Sequence, residues 1–252
     1  MNARTQLIIP EVVEVSALGV RTRAEMYELY ARHYEASDFA RFQLDLDDKH
    51  FVVLLHDEAE ALQGFSTIAA YERDFAGRRI GVLFSGDTVI DAQHWGQQAL
   101  AFAWLRFAGM RKALAPRRQL YWFLISKGHR TYRFLTAFAH AFWPAYDRPT
   151  PAAMQSLMHM LARERFGSAY DEASGLIRFT KSLGHLSPAY AIVSEAHRRK
   201  PEVDFFLARN PGYAHGDELV CLCELSADNL RPMARRVFCS EMLINEDERI
   251  LV

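Results

Sequence analysis

The chain has 252 residues, 50% of them apolar and 24% charged, with a net charge of −1. That composition suits a protein able to bury a substantial core, and it carries no basic excess of the kind a nucleic-acid partner would call for. No apolar run approaches a membrane span, and the N-terminal MNARTQLIIPEVVEV is broken by Pro10 and Glu11, so it does not read as a secretory leader.

Thr22-Arg23-Ala24-Glu25 has the spacing of a capping box, with Thr22 as N-cap and Glu25 three residues on. The helix predicted after it places Met26, Leu29, Tyr30 and His33 on one side. A polar stretch from Asp38 to Lys49 separates it from three strand-like runs, Phe51–His56, Leu62–Tyr71 and Arg79–Ser85. Their short connections imply antiparallel hairpins, because a parallel crossover needs a dozen or more residues.

A helical run then spans Gly96 to Leu114, with Leu100, Ala103, Trp104, Phe107 and Met110 at helical spacing. Gln119–Ser126, QLYWFLIS, is apolar throughout and reads as a central strand buried on both faces. Helix returns from His129 to Trp143, and again after Thr150 as N-cap with Pro151 at the first helical position. Further on, Leu176–Thr180 and Glu218–Leu225 read as strands and Pro188 to Ala196 as helix, while HRRKPEVDFFLARNPGYAHGD reads as turns. Cys221 and Cys223 lie two apart on one strand face, not at CxxC spacing, and with Cys239 they read as buried reduced thiols in a cytoplasmic protein without a metal site.

The segment GVLFSGDTVIDAQHWGQQAL runs from an apolar strand through a glycine turn into a helix. N–H groups at such a helix start have no intrahelical partner and suit an anion. Gln93-His94-Trp95-Gly96-Gln97-Gln98-Ala99 resembles the pyrophosphate loop Gln/Arg-x-x-Gly-x-Gly/Ala of the GNAT (acyl-CoA N-acyltransferase) superfamily. Gln93 and Gly96 fit; Gln98 stands where that pattern has a small residue, and Ala99 comes one step late. The order helix, antiparallel meander, strand-loop-helix, central strand, helix is similar to that family's core from about Val12 to Trp143.

The resemblance implies an α+β fold with a mixed, mainly antiparallel central sheet flanked by helices. Residues 1–184 would form the core, with an extra helix near 151–165. Residues 185–252 would complete the sheet or form a lid or dimer contact. It further implies transfer of an acyl group from acyl-CoA, or an acyl carrier protein, to a small-molecule amine by direct attack. Val89 would lie on the strand beside the pantetheine arm, and Gln93, His94, Gly96, Gln97, Gln98 and Ala99 would hold the pyrophosphate, helped by Lys127 and Arg130. Tyr132 would protonate the departing thiolate, since a phenol and a thiol have comparable basicity. Asp87 or His129 would deprotonate the amine. A non-catalytic protein of the same shape is the alternative, because the bulk of Gln98 could block the donor. Asp87 also suits a plain turn with Gly86, and the basic cluster at Lys127–Arg133 a solvated face.

Overall fold

The computed structural model describes residues 7–180 and 184–240. Among these residues ten strands run in chain order: β1 Ile9–Glu14, β2 Tyr34–Glu35, β3 Phe51–His56, β4 Leu62–Phe75, β5 Arg78–Ile90, β6 Leu120–Ser126, β7 Tyr170–Asp171, β8 Leu176–Ile177, β9 His185–Leu186 and β10 Glu218–Glu224. Eight of them form one sheet in the order β1-β3-β4-β5-β6-β10-β8-β7, while β2 and β9 pair separately. Among the described residues, only β5 and β6 pair in parallel within that sheet; the other neighbours are antiparallel. The fold is therefore mixed α+β with a mainly antiparallel sheet.

Helices α1 (Val20–His33), α2 (Phe39–Asp47), α3 (Ala99–Ala113), α4 (His129–Phe138), α5 (Ala152–Phe166), α6 (Pro188–Ala191), α7 (Glu195–Arg198) and α8 (Pro201–Arg209) cover the sheet, joined by a further helix at 232–240. Alternation along each strand divides the core into layers. Val53, Leu83 and Trp122 face Trp104, Leu105 and Phe107 of α3, Leu135 of α4, Phe206 of α8 and Phe238. On the opposite side, Phe84, Phe123 and Val220 meet Leu157 and Leu161 of α5. Val52, Leu54, Phe65 and Val89 meet Met26, Leu29, Phe42 and Leu46 of α1 and α2. None of the helices among the described residues is long and apolar enough to cross a membrane.

Several boundaries differ from the sequence reading, each for a local reason. The helix containing Thr22 begins earlier, at Val20, with Gly19 as N-cap, so no capping box forms. The polar stretch after Asp38 is helix α2: the Asp38 carboxylate accepts from the Arg41 N–H at 2.8 Å, and Phe42 and Leu46 are buried one turn apart. Helix α3 starts at Ala99 instead of Gly96, because Gly96 takes φ +91° and ends the preceding turn. Helix α4 stops at Phe138, where the chain is drawn into bridges from Ala139 to Leu230 and from Trp143 to Leu222. Pro151 occupies the cap position of α5, one residue later than expected, so Thr150 lies outside the helix. The segment read as turns contains α8.

The position of β10 matters most. Its residues pair with β6 from Leu219↔Ser126 to Glu224↔Tyr121, so a strand from the C-terminal part fills the middle of the sheet.

Candidate functional site

The site begins where two parallel neighbours part. Strands β5 and β6 are paired from Gly81↔Leu120 to Ser85↔Leu124 and no further. Beyond Ser85, β5 continues to Ile90 paired with β4 alone. A bulge makes this possible: Ile68 is opposite Ser85, but Ser66 is opposite Thr88, so β5 carries one extra residue at Gly86-Asp87. Gly86 leaves room for the Thr67 and Lys49 side chains to approach the strand closely. A Cβ there would lie 2.5 Å from Thr67 Oγ1 and 2.6 Å from Lys49 Cε. The bulge turns Asp87 into an opening that a regular strand would have kept closed.

Two clefts enter this gap from opposite faces of the sheet. On the α1, α2 and α5 side lies a cavity of about 400 Å³. Asp87 borders it together with Lys127, Glu218, Tyr30 and Tyr34. Three strand ends thus deliver three charges to one place. Lys127 Nζ stands 3.5 Å from Glu218 Oε1 and 5.4 Å from the centre of the Tyr34 ring. Burial and the nearby Asp45 push the Asp87 carboxyl up to about 6, against the opposing pull of Lys127 and Lys49. Burial likewise raises Glu218 to about 7, with Lys127 working the other way. Burial disfavours the Lys127 ammonium, but Glu218, Tyr30, Asp87 and Tyr34 outweigh it and hold the proton more firmly than on an ordinary lysine. Arg41 and Asp45 of α2, and Arg165 of α5, form the outer wall. Arg165 pairs with Asp48 and lies 3.9 Å above the Phe84 ring.

On the α3 and α4 side the cleft is larger, about 660 Å³, and its walls are mostly apolar, with Val89, Phe102, Phe134, Leu186 and Tyr190 among them. Its rim carries the start of α3. Gly96, Gln97 and Gln98 border the cleft with Trp95. No side chain caps α3 and no acid occupies its first turn, so its leading N–H groups keep their anion preference. The left-handed torsion falls on Gly96, while Gln98 sits at φ −98°, a conformation any residue adopts. Arg130 of α4 also borders the cleft. Its guanidinium lies 4.1 Å over the Trp95 ring and donates to the Tyr190 carbonyl at 3.2 Å. Thr88 and Thr131 line both clefts, one from each side of the gap.

The structure gathers some of the residues singled out in the sequence and separates others. Val89, Gly96, Gln97, Gln98 and Arg130 border the larger cleft, and Asp87 borders the smaller one. Gln93, His94 and Ala99 line neither; His94 is buried, with its Nδ1 3.0 Å from Gln97 Nε2. Lys127 lies on the Asp87 side, engaged with Glu218, and not beside the α3 N-terminus.

Tyr132 is fully buried and borders neither cleft. Its hydroxyl donates to the Pro144 carbonyl at 2.8 Å, and its ring packs on Phe142, Phe205 and Phe206. Burial raises it far above the ordinary phenol range, the opposite of what a proton donor needs. His129 borders the larger cleft, but its Nε2 is 3.1 Å from His197 Nδ1. Burial, then Arg130, His197 and Arg133, lower it to about 4, so the ring is neutral and weakly basic. Cys221 and Cys223 are buried in the sheet, and burial raises Cys221 to about 12, consistent with unreactive thiols.

Sequence reasoning overlooked Glu218, Thr88, Thr131 and the whole of α2. The α2 signal was available in Asp38 followed by apolar Phe39, Phe42 and Leu46 at helical spacing. For Glu218 nothing local distinguishes a charge at the start of an apolar strand.

No protein-family model matches the chain, and no curated protein sequence matches it. Solved structures resembling it include a probable N-acyltransferase from Enterococcus faecalis, 16% identical with a TM-score of 0.40, over 53% of this chain and 33% of that one. A GNAT family N-acetyltransferase from Escherichia coli in complex with CoA is 12% identical with a TM-score of 0.37, over 55% of this chain and 72% of the other. An acetyltransferase from Trypanosoma brucei is 16% identical, with a TM-score of 0.37, over 57% and 98% respectively. The chain thus spans about a third of the first of these relatives, and about half of its own length takes part in each likeness.

Proposed function

We propose that the protein is an acyltransferase that moves an acyl group from a CoA thioester to an amine within a ternary complex. The observation that carries this reading is the meeting of two clefts across the opened β5–β6 pair, with Thr88 and Thr131 common to both. A thioester entering from the α3 side and an amine entering from the Asp87 side would meet there without passing through a covalent enzyme intermediate.

The residues divide the work by their chemistry. The uncapped start of α3 and Arg130 suit the donor's phosphates, and the apolar walls suit its pantetheine arm. The unpaired flank of β5 beyond Ser85 offers backbone groups to the arm's amides, as an added strand would. Asp87 takes the proton of the incoming ammonium; an acid of about 6 is ionised at neutral pH yet is more basic than an ordinary carboxylate. The freed nitrogen attacks the thioester carbonyl carbon, the C–S bond breaks, and the thiolate leaves with a proton. With Tyr132 committed to Pro144, that proton comes from the Asp87 side or from solvent. Holding the two reactants together supplies much of the rate. A carrier-protein thioester presents the same arm and would compete with CoA for the same cleft.

Isothermal titration with CoA and acetyl-CoA tests the reading. Wild type is expected to bind both, and Arg130→Ala to bind each about tenfold more weakly, the cost of one phosphate contact. Absence of binding by wild type overturns the CoA-dependent reading and favours a non-catalytic role.

A further inference from the structure

Beside the gap lies a recess that shares Ala101, Phe134 and Phe138 with the larger cleft. It sits between α3 and α4 above the sheet, and Leu100, Trp104, Trp122, Leu124, Phe134 and Phe138 enclose most of it. Thr88 and Thr131 border this chamber as well as both clefts, so it opens at the point where donor and acceptor would meet. Its volume is about 30 Å³. A single water needs roughly 10–15 Å³ of such space, so two or three carbon-sized groups fill it.

Leu100, Trp104, Trp122 and Leu124 line this recess and neither cleft, and its two indoles are held differently. Trp122 is fixed, its N–H donating to Ser85 Oγ at 2.8 Å. Trp104 packs on it at 4.6 Å between ring centres, and its N–H has no acceptor although only 4% of the residue is exposed. A buried indole ordinarily finds a partner. Trp104 is therefore held by packing alone, in the part of the recess that neither cleft reaches.

We propose that this chamber receives the donor's acyl group and restricts it to short chains of up to about four carbons, with Trp104 as the gauge. The inference rests on the acyl-CoA reading above and adds the class of acyl group. The apolar lining rewards each methylene that enters, and the bulk of Trp104 rejects those that follow. Because the Trp104 N–H bonds to nothing, replacement by Phe enlarges the chamber without leaving a stranded partner.

Titration of wild type with CoA, acetyl-, butyryl-, hexanoyl- and octanoyl-CoA tests it. Affinity is expected to rise from acetyl to butyryl, by up to about fourfold per methylene, and to fall at hexanoyl and octanoyl. Trp104→Ala is expected to move the optimum to hexanoyl or longer, leaving affinity for CoA itself unchanged. If that variant does not fold, Trp104→Phe should shift the optimum in the same direction by a smaller step. Equal affinity across the wild-type series, or an optimum unmoved in both variants, overturns the gauge while leaving donor binding intact. Loss of binding to CoA itself would instead count against the acyl-CoA reading.

Discussion

Replacing Asp87 by Asn should stabilise the protein, and the gain should depend on pH in a defined way. The carboxyl titrates at about 6 in the folded chain against an ordinary 3.8, chiefly because it is removed from water. A folded value above the unfolded one means that the neutral form is favoured on folding. Stability is therefore fully present below pH 3.8 and is lost progressively as pH rises through 6. Beyond that the loss levels off at about 3 kcal/mol, the free-energy equivalent of moving the carboxyl from 3.8 to about 6. Asn removes this cost, and because the value of about 6 already contains the attraction of Lys127, a net gain of roughly 3 kcal/mol at pH 8 is expected, falling to about 0.5 kcal/mol at pH 4. For a chain of this size that corresponds to a rise in Tm of about 6–12 °C at pH 8. Urea denaturation at pH 4, 5 and 8, with CoA titration as a control for an intact donor cleft, measures it. A gain that is the same at every pH, or a loss at pH 8, would refute the argument that Asp87 is a desolvated acid kept for chemistry. Under the proposed function the stabilised variant also loses acyl transfer.

Two further substitutions separate structure from catalysis. Tyr132→Phe leaves the buried Pro144 carbonyl without its donor and should cost about 1–3 kcal/mol in urea unfolding; CoA affinity should stay within twofold, and a hundredfold fall in transfer without loss of stability would restore Tyr132 as the acid. Gly109→Ala would place a Cβ 2.0 Å from the Phe238 carbonyl oxygen, where α3 touches the 232–240 helix. Overpacking of this kind costs about 1–3 kcal/mol or more. Limited proteolysis should accordingly cut earlier near that helix, and unchanged protection would contradict the contact.

What was legible in the sequence was whatever periodicity or local chemistry encodes. Leu100, Trp104 and Phe107 announced α3 by spacing, and the unbroken apolarity of LYWFLIS announced β6 as an interior strand. The turn before α3 was recognisable from Gly96, which does adopt the torsion that only glycine takes readily. Side-chain direction was not legible. Tyr132 and His129 lie one turn apart at the start of the same helix, yet one is locked in the core and the other borders a cleft. Nothing in HRTYRFL says which, because the answer depends on Phe205, Phe206 and His197, some seventy residues later. Lys127 was misplaced for the same reason: its partner Glu218 arrives from a strand that the sequence could not assign to the middle of the sheet.

That placement of β10 also bears on how the chain must be made and handled. Until residues 218–224 dock, β6 presents its open hydrogen-bonding edge to solvent along LYWFLIS, an apolar and aromatic segment. Such an edge is a template for pairing with other chains. A fragment ending before β10 would therefore lack Glu218 and would expose a surface prone to aggregation. The strand that supplies the last charge of the proposed site is also the one that covers the apolar edge of β6.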